Sequence, residues 1–164
     1  MELGDFERWY SRERPRVYAS VLVLCGDPDA ARDATDEAFV RALERWRRVS
    51  QMASPGAWVQ TVAMNQVRRV KRRRALELVR LRRRAAAPVE VSAGPDGWIW
   101  DVVRRLPHRQ RVAVVLRFVA DLPEAEIAQV MGISRGTVAS TLAAARARLA
   151  LELAAEPAAE DVDG

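Results

Sequence analysis

The 164-residue sequence is short of the side chains from which reactive centres are built: it has one cysteine (Cys25), one histidine (His108) and one lysine (Lys71). A lone cysteine excludes an intrachain disulfide, and one cysteine with one histidine cannot assemble a Cys/His metal site. No Ser/His/Asp or Cys/His set and no glycine-rich phosphate loop is present, so an enzyme ranks last among the function classes. We therefore expect no catalytic residues, no metal, no cofactor and no small-molecule substrate. No apolar run approaches the ~20 residues needed to span a bilayer, which argues against membrane insertion. The start, Met1 to Phe6, lacks the pattern of a signal peptide, so a cytoplasmic protein is expected. Internal repeats of 20–50 residues are also missing.

What is present is arginine. The net charge is +5 and nearly every cation is a guanidinium, a group that holds phosphate and stacks on bases better than an ammonium does. Hydrophobic residues make up 49% and charged ones 30%, the balance of a folded rather than a disordered chain. Few β-branched runs favour an all-α fold. Charge and breakers divide the chain into two small helical domains joined by a flexible linker. Residues 1–74 carry 15 basic and 10 acidic side chains, and residues 98–151 carry 8 and 4. Between them, residues 75–97 end in the Pro- and Gly-rich stretch Pro88 to Gly97. Residues 152–164 hold five acids and no cation, an acidic tail expected to be disordered.

In the first module, a helix is expected from Phe6, continuing or restarting after Pro15 and ending at Cys25 before the turn Gly26-Asp27-Pro28-Asp29. Cys25 closes the apolar run Val21 to Cys25 and reads as a buried thiol. Asp27 or Asp29 suits the cap of the next helix, on which Ala38, Phe39, Ala42, Leu43 and Trp46 form the apolar stripe. The acids Asp27, Asp29, Asp33, Asp36 and Glu37 are better explained by capping and a solvated face than by a divalent metal. A further helix runs from about Pro55 to past Arg74. One half gathers Trp58, Val59, Val62, Ala63, Gln66, Val67 and Val70; the other carries Gln60, Thr61, Met64, Asn65, Arg68, Arg69, Lys71 and Arg72. Solvated helix faces usually mix both signs of charge. This one is basic, bears amides and holds almost no acid, which suits a nucleic-acid surface.

The second module centres on Leu106 to Leu149. Pro123 suits the start of a helix bearing Ile127, Ala128, Val130 and Met131; Gly132 can end it in the left-handed conformation, and Ser134 can cap the next. On that next helix Val138, Leu142, Ala145 and Leu149 share one side. Helix, glycine turn and serine-capped helix outline a helix-turn-helix, whose second helix enters a major groove. Small residues at Ala128, Gly132 and Gly136 are expected to let the two helices approach closely.

Two stretches resemble one family. Leu106-Pro107-His108-Arg109-Gln110-Arg111, Glu126-Ile127-Ala128, Gly132-Ile133-Ser134, Gly136-Thr137-Val138 and Arg146-Ala147-Arg148-Leu149 resemble region four of the bacterial sigma-70 factors. Asp33 to Phe39 is similar to the polymerase-binding helix of region two, and Ala57 to Asn65 to its promoter-reading helix. With no room for regions one and three, the layout resembles the extracytoplasmic-function (ECF) group. The resemblance implies a sigma factor that binds core RNA polymerase, directs initiation at promoters and helps open the duplex. Region two (1–74) would dock on the β′ clamp helices through Asp33, Asp36 and Glu37. It would read the minus-ten element with Gln60, Thr61, Met64, Asn65, Arg68, Arg69 and Arg72, and Ser50 to Ser54 would wall a pocket for a flipped base. Region four (98–151) would bind the β flap, with Val112, Leu116 and Phe118 as candidates, some of them core. It would read the minus-thirty-five element with Ser134, Arg135, Gly136, Thr137, Ser140, Thr141 and Arg146. An anti-sigma factor is an implied partner beside core polymerase and promoter DNA.

The chain departs from the family pattern at Asp36, where glutamine is usual, and at Met64, where a basic residue is common. Ala139 and Thr141 stand where a lysine and an arginine are frequent, so promoter reading is expected to fall more on Asn65 and its neighbours. Trp46 and Trp58 lie on apolar stripes and read as core rather than melting aromatics. Two alternatives remain open at this point: a stand-alone helix-turn-helix regulator, and a sigma-like interaction protein without promoter opening.

Overall fold

The computed structural model describes residues 3–82 and 98–155, and among these it contains helices and no strand. Pro88 to Gly97 and Glu156 to Gly164 lie outside the described residues. Eight helices follow in order: α1 (Leu3–Cys25), α2 (Pro28–Glu44), α3 (Trp46–Val49), α4 (Pro55–Arg82), α5 (Trp98–Arg105), α6 (His108–Phe118), α7 (Glu124–Met131) and α8 (Arg135–Ala155).

The first unit is built from α1 to α4. Helix α1 runs unbroken through Pro15, which is exposed, so losing one N–H there leaves no buried group unpaired. Its Phe6, Trp9, Val17, Val21 and Cys25 enter the core. Asp27 caps α2 by accepting the Ala30 N–H at 3.0 Å, with Pro28 in the first turn; such a cap is worth ~1 kcal/mol. The buried face of α2 is Ala31, Ala34, Thr35, Ala38, Phe39 and Ala42, and apart from Phe39 these side chains are small enough to let α1 and α4 pack close. Phe6, Trp9, Tyr10, Phe39 and Trp46 interlock, with ring centroids 4.9 Å apart for Trp9–Trp46 and 5.2 Å for Phe6–Trp46. Trp46 is thus a core residue, as expected, and Trp58 packs against the same core. Leu43 is not: it is 47% exposed, because the core-facing stripe of α2 ends at Ala42 and α3 turns away after it.

The second unit is built from α5 to α8. Gly132 ends α7 at φ +65°, the left-handed cap the sequence called for. A Cβ there would meet nothing within 4 Å, so backbone conformation requires this glycine, and close helix approach does not. Gly136 likewise has only the Ser134 hydroxyl nearby, at 3.9 Å, which corrects the expected role of both glycines in packing. Ser134 Oγ accepts the Thr137 N–H at 3.1 Å and caps α8, whose Val138, Leu142 and Ala145 are fully buried. Helix α6 is buried over five consecutive residues, Val112 to Leu116. A helix buried all round has neighbours on every side. Here α7 and α8 cover one side and α1 of the first unit covers another.

Candidate nucleic-acid interface

On α4, Asn65, Arg68, Arg69, Lys71 and Arg72 are exposed along one face, and the helix carries no acid from Pro55 to Arg73. Asn65 Oδ1 accepts from Arg68 at 3.3 Å, a long bond that leaves its amide available to a base edge. Thr61 is half-buried and donates its hydroxyl to the Ala57 carbonyl at 2.8 Å. Two residues placed by the sequence on this face are turned elsewhere. Gln60 is 1% exposed, its Nε2 donating to the buried Ser20 hydroxyl at 2.7 Å, which in turn donates to the Val17 carbonyl. At ~100° per residue it lies beside Val59 and Ala63, on the side facing α1. Met64 is 6% exposed and packs with Ala57 among residues of the second unit.

The loop after α3 places Ser50 and Gln51 beside Trp46, Arg47 and Asp5 around an open hollow. On α2 the acids stand at the surface, though not all unengaged. Asp33 and Asp36 are exposed; Asp36 accepts from Arg14 at 3.0 Å, and Glu37 is held by Arg41 at 2.7 Å. The Asp36 bond is the main reason the Arg14 guanidinium holds its proton more tightly than usual. Exposed Val40 and Leu43 sit next to these acids, lining a shallow groove with Phe39, Tyr10 and Arg14. An apolar patch rimmed by charge marks an interaction surface. Sequence reasoning missed it by placing Leu43 inside.

On α8 the outward residues are Arg135, Gly136, Thr137, Ser140, Arg146 and the alanines Ala139, Ala143, Ala144 and Ala147. Ser140 and Thr141 both donate to the Thr137 carbonyl, at 3.0 and 2.6 Å, so their oxygens are free mainly to accept. Arg135 lies 3.6 Å from Glu124. Of the flap candidates, Val112 and Leu116 are core and Phe118 is 62% exposed.

The chain therefore joins a basic helix, free of acid from Pro55 to Arg73, to a helix-turn-helix. The sigma-70 region 2 model matches residues 9–77, and the sigma-70 region 4 model matches residues 96–149. The RNA polymerase sigma-E factor of Streptomyces coelicolor is 31% identical over 157 residues, covering 94% of this chain and 89% of that one. The chain belongs to the sigma-70 family. Another relative, the sigma-E factor of Streptomyces antibioticus, is 34% identical over 93% of this chain and 86% of its own. An ECF RNA polymerase sigma factor of Streptomyces coelicolor, BldN, is 31% identical over 84% of this chain and 56% of its own. Among solved structures, the sigma factor RpoE of Bartonella quintana, in complex with the anti-sigma factor NepR, shares the fold. Its TM-score is 0.77 at 21% identity, with 94% of this chain and 99% of that chain covered. CnrH, in complex with the cytosolic domain of CnrY, gives 0.64 at 21% identity, covering 94% and 91%.

The protein is an ECF sigma factor directing transcription initiation. Because region 2 accounts for the first half of the chain, a stand-alone regulator is not favoured. Sigma factors are in general not enzymes. No described helix is long and apolar enough to cross a membrane.

Proposed function

We propose that residues 1–74 of this sigma factor bind the β′ clamp helices of core RNA polymerase and read the minus-ten element. In the same reading residues 98–151 bind the β flap and the minus-thirty-five element, 75–97 link them, and 152–164 form an acidic tail. The observation that carries this is the run of exposed Asn65, Arg68, Arg69 and Arg72 on an acid-free helix face. Asn65 reads a base edge, the arginines hold phosphates, and Thr61 borders them. Gln60 leaves this set because it is committed to Ser20. Met64 leaves it as well, because it packs among residues of the second unit. Ser50 and Gln51 border the hollow that receives a flipped base.

Asp33, Asp36 and Glu37 meet the basic clamp surface, with Val40 and Leu43 supplying the apolar centre that binding energy requires. Phe118 takes the corresponding role toward the flap. On α8, Ser134, Arg135, Gly136, Thr137, Ser140, Thr141 and Arg146 face the upstream element. The alanine-rich surface between them favours close approach and shape reading over bidentate base contacts. The polymerase performs the chemistry, so this chain acts in the cytoplasm without catalytic residues of its own. An anti-sigma factor is a further partner, in line with the shared fold of RpoE, which was solved with one.

Gel filtration with purified core polymerase tests the reading. A stoichiometric complex that a second sigma factor displaces is expected. Duplex binding without any complex with core polymerase would instead indicate a regulator.

A further inference from the structure

Where α1, α4 and α6 meet, the seam between the two units encloses a cavity of about 70 Å³. Its lining divides by chemistry. Val21 and Leu24 of α1, Met64 and Val67 of α4 and Val112 of α6 supply an apolar floor, and all but the half-buried Leu24 are buried. Arg68 and Lys71 of α4 and His108 of α6 are exposed and form its mouth. None of the described residues around it is acidic. The two cations are weakly engaged. Arg68 donates to Asn65 Oδ1 at 3.3 Å and Lys71 to the Leu24 carbonyl at 3.4 Å, both long bonds to neutral acceptors. Partial burial, then Arg111 and these two cations, keep the His108 pKa below its ordinary value, so near neutrality it is an uncharged N–H donor. An apolar floor beneath a pair of cations held only by neutral acceptors matches an anion with a short hydrocarbon tail.

We propose that this cavity binds a short-chain aliphatic carboxylate, its tail among Val21, Met64, Val67 and Val112 and its head held by Arg68, Lys71 and the His108 N–H. The volume is about half the ~150 Å³ that admits a benzene ring, which leaves room for a tail of about three carbons and makes butyrate the best-fitting probe. Each methylene moved from water onto the floor adds to binding, and the cations fix the orientation. The site itself does not depend on the sigma-factor reading. Its consequence does: Arg68 also stands on the nucleic-acid face, so a bound carboxylate and a promoter phosphate draw on the same guanidinium. Occupancy of the cavity therefore weakens promoter binding and ties initiation to the level of a small organic acid.

The test titrates the full-length chain with sodium acetate, propionate, butyrate and hexanoate at an ionic strength held constant with sodium chloride. His108 is the sole histidine, so its imidazole proton resonance reports on the site by itself. A carboxylate beside it should raise its pKa. Apparent affinity should rise about fourfold per methylene from acetate to butyrate and gain nothing further at hexanoate. Lys71→Gln should weaken butyrate binding about two- to fivefold. Val67→Leu, which fills part of the floor and leaves the cations in place, should remove the preference for butyrate over acetate. A His108 titration that is the same in butyrate as in sodium chloride would overturn the site, as would an effect independent of chain length. Run-off transcription with core polymerase should fall with butyrate for the parent and less for Val67→Leu; equal inhibition of both would overturn the regulatory consequence. No transcription even without butyrate, beside a butyrate-dependent His108 shift, would contradict the sigma reading and leave the site standing.

Discussion

At the scale of single residues, Gln60 and Asn65 separate two kinds of amide on one helix. Gln60 is buried with its Oε1 unpartnered, while Asn65 stands in solvent. Leucine at position 60 removes a buried polar group while Ser20 keeps its bond to Val17. Gln60→Leu should therefore shift stability by no more than ~1 kcal/mol and leave promoter affinity unchanged. Asn65→Ala should keep the fold and lose about 1–3 kcal/mol of discrimination between bases in the minus-ten element. Binding of duplex and mismatched promoter fragments measures both. The sequence could not tell these amides apart, because a five-residue separation on a helix is a rotation of ~140° and the core boundary falls between them. It did identify the residues whose backbone demands are local. Gly132 needs a positive φ, and Ser134 and Asp27 need only a neighbouring N–H.

At the scale of elements, the helix periods were legible and their partners were not. The stripe Val138, Leu142, Ala145 on α8 was readable because one face meets one core. Helix α6 was not, since five consecutive buried residues carry no period and nothing local says that α1 covers the second side. Pro15 was an ambiguous break for the same reason: whether a proline ends a helix depends on packing before and after it, and Trp9 and Val17 anchor both halves of α1 in one core. Leu43 continues the α2 stripe in sequence but passes beyond the surface it packs on. That displacement yields an element-level prediction. Val40→Glu with Leu43→Glu should lower affinity for core polymerase about tenfold or more, because both lie where an interface centre is expected. Thermal stability should stay within ~0.5 kcal/mol, since neither side chain supports the fold. Competition binding against core polymerase, alongside a melting curve, separates the two effects.

At the scale of the whole molecule, two basic units lie against each other, and His108 reports on that strain. Partial burial, and then the like charges of Arg111 on its own helix and Arg68 and Lys71 on α4, hold its pKa below the ordinary value of 6.5. Val21 and Leu24 of α1, Met64 and Val67 of α4 and Val112 of α6 supply the apolar lining of the cavity it borders. A depressed histidine pKa means that the unfolded chain binds the proton more readily than the folded one. The contribution of neutral His108 to stability is therefore present above about pH 6.5 and lost as pH falls through the lower value. Thermal stability should decrease on acidification below that point, and His108→Gln should flatten the change, as melting curves across pH would show. A seam of this kind was invisible in the sequence because Met64 looked like a departure from a DNA-reading pattern rather than a member of another unit's cluster. The two-unit plan itself was legible, since the basic α4 and the helix-turn-helix lie far apart in the chain and each carries its own pattern.

The central claim is that these two units together direct polymerase to promoters. Run-off transcription of fragmented genomic DNA by core polymerase, with and without this chain, tests it most directly. Addition of the chain should give discrete transcripts whose start sites share two upstream elements, and Arg68→Ala with Arg69→Ala should abolish them while the complex with core polymerase persists. Transcripts that are the same with and without the chain, in the presence of a stable complex, would contradict it.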